Sequence, residues 1–489
     1  MFWLLFACNN DKDSASPETQ DTSNMEVELD LPTVSLDDMM GHLTNLDAIG
    51  QDNSNNRALG TPGGLATRTY LKEVLTDLGY RVWTEPFSLS FFQNLSDPIL
   101  QYEGQDFSVA TFVYSAPGEV VAAYAVVDVE IPPGPNPNSS TSGCEQSDFQ
   151  DFPSGNIAVL QRGTCTFGTK VANAEAAGAL AVIIFNEGQS GRTDVVEGML
   201  EESGSGIPVV GVSFSTGEQL ISASNDGGEL RVVVDAQMTE IQTENIFAET
   251  ETPVSENFVL VGAHMDSVVA GPGINDNGSG SAMLLSMAKW LAENSPSQEL
   301  SVRFAWWSAE ELGLLGSQEY VDSTTELNKV QYYLNFDMVS SPNYVRFIYD
   351  GDGSQFGLEG PAGSDQIEHA FEEHFENVGL VFTGTPFDGR SDYGPFIQAG
   401  IPSGGLFSGA EAVMSEEQAN EYGGQSGIAY DACYHKACDT LSNVNQQSLQ
   451  EMANAALQVT LDLSGSQQRR PASFHTPIKL DYKGEWLIR

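Results

Sequence analysis

Apolar and polar positions change their rhythm along this chain, and each rhythm predicts a different kind of element. In the stretch "TRTYLKEVLTDLGYRVWTEPF", Tyr70, Leu71, Val74, Leu75 and Leu78 recur at helical spacing, Gly79 closes the helix, and a strand begins. Residues 33–83 are accordingly read as a helical entry segment. From about residue 100 the pattern becomes short apolar runs broken by Gly, Pro, Asn and Ser. There "GNIAVLQRGTCTFGTKVANAEAAGALAVIIFNEG" predicts a strand over 157–161, a helix over 170–177 and a strand over 181–186, with a further strand over 207–212.

A second alternation starts near residue 240. It predicts strands over 258–263, 301–307, 332–337 and 345–349, and helices over 281–293, 312–321 and 365–378. A last helix over 447–463 carries Leu449, Met452, Ala453, Ala456 and Leu457 on one face. Strands alternating with helices predict an α/β fold: a mixed, mostly parallel sheet covered by helices on both sides. In such sheets, sites form at the carboxyl ends of the strands. No internal repeat is visible.

At 489 residues, the chain is long enough for two or three domains with a sizeable core. Its 20 Lys and Arg against 68 Asp and Glu give a net charge of −48. That surface repels nucleic acid and anionic lipid, so neither is expected as a partner. An acidic solubility coat explains the charge without reference to any substrate. Five cysteines divide into the local pairs Cys144/Cys165 and Cys433/Cys438, with Cys8 left over. Two pairs suit an oxidising compartment; five reduced thiols in a cytoplasmic enzyme are the alternative.

The opening residues "MFWLLFACNNDKDSASPETQDTSN" run apolar to Ala7-Cys8 and then turn polar. They resemble the end of a bacterial lipoprotein signal, which implies a signal segment over 1–8, acylation of Cys8 and a flexible tether over 9–30. A truncated signal peptide is the alternative. Either reading implies an exported protein of the cell envelope or extracellular space, with membrane contact only through a lipid on Cys8.

Chemistry-bearing residues collect where the predicted strands end. After the run "FVLVGA" come His264 and Asp266, then Asp276 in a glycine-rich turn. Glu310 and Glu311 follow the strand ending at Trp307, and Asp337 follows Phe336. Late in the chain, "YDACYHKACDTLSN" places His435 in a loop that a Cys433–Cys438 bond would fix. Histidine with carboxylates is ligation suited to Zn²⁺, and a shareable carboxylate with one His and one carboxylate per metal describes a two-zinc hydrolytic centre. Taken singly, His264 reads equally as a satisfied strand-end histidine, and Glu310-Glu311 as acids at a solvated helix N-terminus.

Five motifs in order, "VLVGAHMDSVVAGPGINDNGSGSA", "LSVRFAWWSAEELGLLGSQEYV", "YYLNFDMVSSPN", "GRSDYGPF" and "CYHKACDTLSN", resemble the secreted di-zinc aminopeptidases of the bacterial leucine aminopeptidase and vacuolar aminopeptidase Y type. The resemblance implies the zinc exopeptidase fold over 31–98 and 237–465. The segment around 157–186 resembles a protease-associated domain, which implies an insertion over 99–236 with Cys144 bonded to Cys165. The tail over 466–489 lies beyond the resemblance.

Carried onto this chain, the resemblance implies two zinc ions. His264 and Asp337 would hold one, Glu311 and His435 the other, with Asp276 bridging them. It implies Glu310 as general base, Asp266 as the acid that orients His264, and Tyr434 as donor to the oxyanion. It assigns Arg390 and Phe407 to substrate binding, implies a cis peptide at Asp276–Asn277, and points to leucine-like N-termini of peptides or proteins cleaved by a monomer. Tyr434 as a packing residue, and Arg390 as a salt-bridge partner of Asp388 or Asp392, are the structural alternatives. Trp306 and Trp307 read as core and pocket wall; His42, His369, His374 and His475 read as surface or core. A related hydrolase of the same fold (a carboxypeptidase or a one-zinc glutaminyl cyclase) and a catalytically silent binding protein are the competing functions.

Overall fold

The computed structural model describes residues 31–465 apart from 135–137, 190, 201–203, 225–226 and 251–253. The signal, Cys8, the tether and the tail with His475 lie outside the described residues. The described residues from Thr33 onward form one unit, built around two eight-stranded sheets.

Across the first sheet the strands run Tyr80–Asn94, Ala236–Thr250, Ser301–Trp307, Phe258–His264, Val330–Phe336, Ser403–Phe407, Phe347–Tyr349 and Thr383–Thr385. The four central strands are mutually parallel, and the outer pairings are mostly antiparallel. The expected mixed sheet is therefore present, with its parallel part at the centre. Parallel strands buried on both faces read as unbroken apolar runs, which is how "FVLVGA" and "VRFAWW" read.

Alternate residues of each strand feed different cores. Val259, Val261, Ala263, Phe304, Trp306, Leu334 and Phe336 face helices Leu36–Asp52, Pro62–Asp77, Gly280–Asn294, Ser364–Asn377 and Gln446–Gly465. Leu260, Ala305, Trp307 and Tyr333 face the smaller helices Leu315–Ser323 and Tyr393–Gln398. Both tryptophans are fully buried, as expected of core residues.

The second sheet has its own core, built from Ile157–Gln161, Ala181–Phe185 and Val209–Val212 with helices Phe167–Ala176 and Phe214–Ala223. It is strung between Tyr80–Asn94 and Ala236–Thr250, which pair antiparallel along their full fifteen residues, Tyr80 opposite Thr250 and Asn94 opposite Ala236. An insertion leaving and re-entering through adjacent strand ends leaves the first sheet continuous.

Several boundaries differ from the sequence expectation. The helix expected over 312–321 begins at Leu315, because Ala309, Gly313 and Leu314 take positive φ and hold 308–314 in an irregular turn. The strand expected over 345–349 shortens to Phe347–Tyr349. Strand Ser403–Phe407 was not expected: "SGGLF" lacks a β-branched run, yet it pairs parallel with Val330–Phe336 at the centre of the sheet.

Candidate metal centre

Because Phe258–His264, Ser301–Trp307 and Val330–Phe336 are parallel neighbours, their carboxyl ends share one edge, and His264 stands directly opposite Trp307. The turns that follow deliver Asp266 and Asp276, Glu310 and Glu311, and Asp337 to that edge. His264 Nε2 lies 3.2 Å from Asp276 Oδ1 and 3.2 Å from Asp337 Oδ1. His435 Nε2 lies 2.8 Å from Asp276 Oδ2 and 3.2 Å from Glu311 Oε2. The two triads, His264/Asp276/Asp337 and Asp276/Glu311/His435, each bring their ligand atoms within 4.8 Å of one another and share Asp276, one oxygen on each side.

The turn between His264 and Asp276 is held from behind by Arg57, a fully buried side chain. Its guanidinium donates to the carbonyls of Met265 (2.6 Å), Pro272 (2.7 Å) and Gly273 (2.6 Å). Asp439 then accepts from the amides of Asn275 (2.8 Å) and Asp276 (3.0 Å). Asn277 donates to the Phe336 carbonyl at 2.9 Å, joining this turn to the strand that ends before Asp337. The Asp276–Asn277 peptide is cis. Asp337 Oδ2 accepts from Ser391 Oγ at 2.7 Å, and Ser391 in turn accepts from Asn335 Nδ2 at 2.8 Å.

His264 Nδ1 lies 3.2 Å from the Asp266 backbone carbonyl and 3.9 Å from the Asp266 carboxylate. The carbonyl can only accept, so it holds the proton on Nδ1 and leaves Nε2 free toward the carboxylates. The nearer contact of Asp266 with His264 is thus made by its backbone carbonyl. Its carboxylate accepts instead from the Glu310 amide at 3.3 Å.

Six carboxylates (Asp266, Asp276, Glu310, Glu311, Asp337 and Asp392) crowd around two imidazoles. Burial, reinforced by neighbouring carboxylates, pushes Glu310 and Glu311 well above the ordinary glutamate range. Burial with Asp337 and Asp266 nearby pushes Asp392 up to about 7. Burial alone would lower His264, but Asp337, Glu310 and Asp276 raise it well above its ordinary value. Asp276 goes the other way: hydrogen bonds from His264 and His435 overcome its burial and hold it low.

Glu311 Oε1 and Asp266 Oδ2 are buried without a hydrogen-bond partner. Buried acids in this number are costly unless a cation compensates them. The donor set, imidazole nitrogen and carboxylate oxygen in two triads with a shared aspartate, fits zinc on both sides.

The remaining expected residues sit around this cluster. Glu310 is nearly buried, with its side chain 10% exposed and Oε2 3.9 Å from His264 Nε2. Tyr434 lies against His435, ring centroids 3.9 Å apart. Arg390 pairs with Glu411 at 3.1 Å, not with Asp388 or Asp392, and reaches the Tyr434 hydroxyl at 3.5 Å. Phe407 stacks on Phe347, centroids 5.9 Å apart. Cys433–Cys438 closes the loop that carries His435, and Cys144–Cys165 forms in the inserted unit. The inserted unit reaches the rim: Glu197 lies within electrostatic range of His435, and Met199 lies 3.7 Å from where a β-carbon on Gly313 would stand.

Glu310 and Glu311 are not helix-N-terminal acids, since the next helix begins at Leu315. They occupy an irregular turn. Of the other histidines, His42 meets the Tyr70 hydroxyl at 2.6 Å, His369 is exposed and His374 is buried on its helix. Sequence reasoning missed Arg57, Asp392, Asp439, Ser391, Asn275 and Asn277 as parts of the site. All but Arg57 lie inside or beside the motifs; "NNRALGTPG" around Arg57 carries no signal of its contacts.

Comparison with known proteins agrees with this geometry. The model of peptidase family M28 matches residues 245–460, and that of the PA (protease-associated) domain matches 118–220. An aminopeptidase of Pseudomonas aeruginosa PAO1 is 44% identical over 435 residues, 86% of this chain and 80% of the relative. A probable leucine aminopeptidase 2 of Aspergillus oryzae is 42% identical over 397 residues, 80% of this chain and 77% of the relative. Among solved structures, a zinc aminopeptidase from Bacillus subtilis superposes with a TM-score of 0.67 at 25% identity, covering 92% of this chain and 98% of that one. The fold is shared also by an aminopeptidase from Aneurinibacillus sp. strain AM-1, with a TM-score of 0.68 at 23% identity over 91% of this chain and 97% of that one. This chain is therefore an enzyme of peptidase family M28, of the zinc aminopeptidase type, with a PA domain inserted into its catalytic domain.

Proposed function

We propose that this enzyme removes the N-terminal residue, leucine-like by preference, from peptides through a two-zinc centre. His264 and Asp337 hold one ion, Glu311 and His435 the other, and Asp276 both. The observation that carries the reading is the shared aspartate: one oxygen of Asp276 faces each imidazole, at 3.2 and 2.8 Å. When bound, the ions supply Lewis acidity, lowering the pKa of a water and polarising the scissile carbonyl.

The chain's own groups do the rest. Glu310 accepts the proton of the attacking water on its carboxylate and returns it to the departing amine; a glutamate pushed upward by burial is suited to both transfers. The Tyr434 hydroxyl stays protonated, because loss of water contact raises it well above its ordinary value, and it donates to the developing oxyanion. Arg390, committed to Glu411, acts on substrate by holding Tyr434 rather than by offering a free charge. The free α-amine of the substrate is met by the carboxylates of Glu310 and Asp337, with Phe407 beside the first side chain. Domain bounds of 31–98 with 237–465, and 99–236 for the insertion, belong to this reading. So does export, which the two disulfides support. Among the described residues, no helix is long and apolar enough to cross a membrane.

The test is zinc titration of chelator-stripped protein, followed by leucine p-nitroanilide hydrolysis and metal analysis. Activity should climb until about two zinc ions are held per chain. Full activity at one ion, or none at two, contradicts the reading.

A further inference from the structure

Burial alternates along the segment "VEGML" of the inserted domain. Val196, Gly198 and Leu200 are buried, with Val196 and Leu200 in that domain's core, while Glu197 is exposed and Met199 half-buried. Alternate residues of an extended stretch share a side, so Glu197 and Met199 turn the same way. That way leads to the catalytic domain. The sulfur and terminal methyl of Met199 lie 3.7 Å from where a β-carbon on Gly313 would stand, and the Gly313 amide donates to the Glu310 carbonyl at 2.8 Å. Met199 thus leans on the turn that carries Glu310 and Glu311, and Glu197 lies within electrostatic range of His435.

The backbone beneath these two side chains is tied on both sides. Val113 donates its amide to the Gly198 carbonyl at 2.9 Å and accepts from the Leu200 amide at 3.1 Å, while the Val196 amide donates to the Val212 carbonyl at 3.3 Å. A side chain on Gly198 would run into the rings of Phe112 and Phe167, so the segment lies directly on that aromatic pair. The Glu197 carboxylate, by contrast, makes no hydrogen bond or ion pair among the described residues. An unpaired charge on a fixed backbone needs little ordering to receive an opposite charge.

The source of that charge follows from the course of the substrate. Glu310 and Asp337 meet the α-amine on the His264 side of the centre, and Tyr434 meets the scissile carbonyl beside His435. Glu197, in range of His435, stands on the side by which the peptide continues past the scissile bond. We infer, on the reading of the site proposed above, that Glu197 is a specificity-determining residue whose carboxylate receives the side chain of a lysine or arginine at the second position of the peptide. The inserted domain then takes part directly in the choice of substrate.

A net charge of −48 attracts cationic peptides to the whole molecule, so one carboxylate must be separated from the general field. The experiment is leucine release from Leu-Lys-Ala, Leu-Gln-Ala and Leu-Glu-Ala by the zinc-loaded enzyme, unmodified and as Glu197→Gln and Glu197→Lys, at low and high salt. In the unmodified enzyme, kcat/KM for the lysine peptide should exceed that for the glutamine peptide by about three- to fivefold at low salt, and by less at high salt. Glu197→Gln should lose most of that ratio, and Glu197→Lys should shift preference toward the glutamate peptide. Equal cleavage of the three peptides by the unmodified enzyme, or an undiminished ratio in both variants, overturns the inference and leaves the aminopeptidase reading intact. A loss in Glu197→Gln that falls instead on Lys-Gln-Ala, with lysine first, overturns the placement beyond the scissile bond. Release of leucine from none of the peptides overturns the aminopeptidase reading and the inference with it.

Discussion

Glu310 and Glu311 are adjacent in sequence and alike in chemistry, yet the turn that carries them divides their surroundings. Glu311 Oε2 faces His435 at 3.2 Å, while Glu310 Oε2 stands 3.9 Å from His264 with its amide tied to Asp266. If Glu310 moves protons and Glu311 holds metal, Glu310→Gln should lower kcat by about 10²–10⁴ while zinc content stays unchanged. Kinetics paired with metal analysis checks this; loss of zinc in that variant assigns Glu310 to ligation instead. A second expectation concerns protons. Without metal, the raised groups at the centre, His264 among the histidines and Glu310 and Glu311 among the acids, hold protons that zinc must displace. The stability carried by a raised histidine is lost as pH rises through its folded pKa. A raised glutamate also makes the fold bind more protons than the unfolded chain, so stability again falls with rising pH. Metal-free protein should therefore lose melting temperature between about pH 5 and pH 8, and the gap to the zinc-loaded form should widen over that range. Calorimetry of both forms decides; a gap constant in pH contradicts the placement of these protons.

Elements differ in how clearly the sequence announces them, and the reasons are physical. Strands Phe258–His264 and Ser301–Trp307 are legible because a parallel strand buried on both faces leaves a continuous apolar run. Helix Gln446–Gly465 is legible because one face packs and the other does not. Strand Ser403–Phe407 is equally central but is built from small residues, since it must pass close to its neighbour. Gly405 has φ 148°, and any side chain there would run into the backbone of Asn335. Gly405→Ala should cost roughly 1–3 kcal/mol of unfolding free energy, read from a urea titration. An unchanged midpoint would show that this close approach does not constrain the strand. The proposed ligands are legible because each follows a strand end or a tight motif. The groups that support them were not: Arg57 reaches three carbonyls more than two hundred positions away, and nothing in its local sequence records that.

At the scale of the whole molecule, the PA domain interrupts the catalytic domain without breaking its sheet, because its two connections are paired strands. Its Glu197 and Met199 bring it to the rim of the centre, which gives the insertion a place from which to act on substrate access. The net charge of −48 belongs to this scale too. With only 20 basic residues against 68 acidic ones, and Arg390 beside the centre paired with Glu411, cationic groups for a substrate carboxylate are scarce, whereas carboxylates for a substrate amine are plentiful. This asymmetry favours an aminopeptidase over a carboxypeptidase, and it yields the most direct test. The zinc-loaded enzyme would be offered leucine p-nitroanilide and its N-acetylated form side by side. The account predicts cleavage of the free-amine substrate alone, abolished by chelation and restored by zinc. Cleavage of the acetylated substrate at a comparable rate would contradict it.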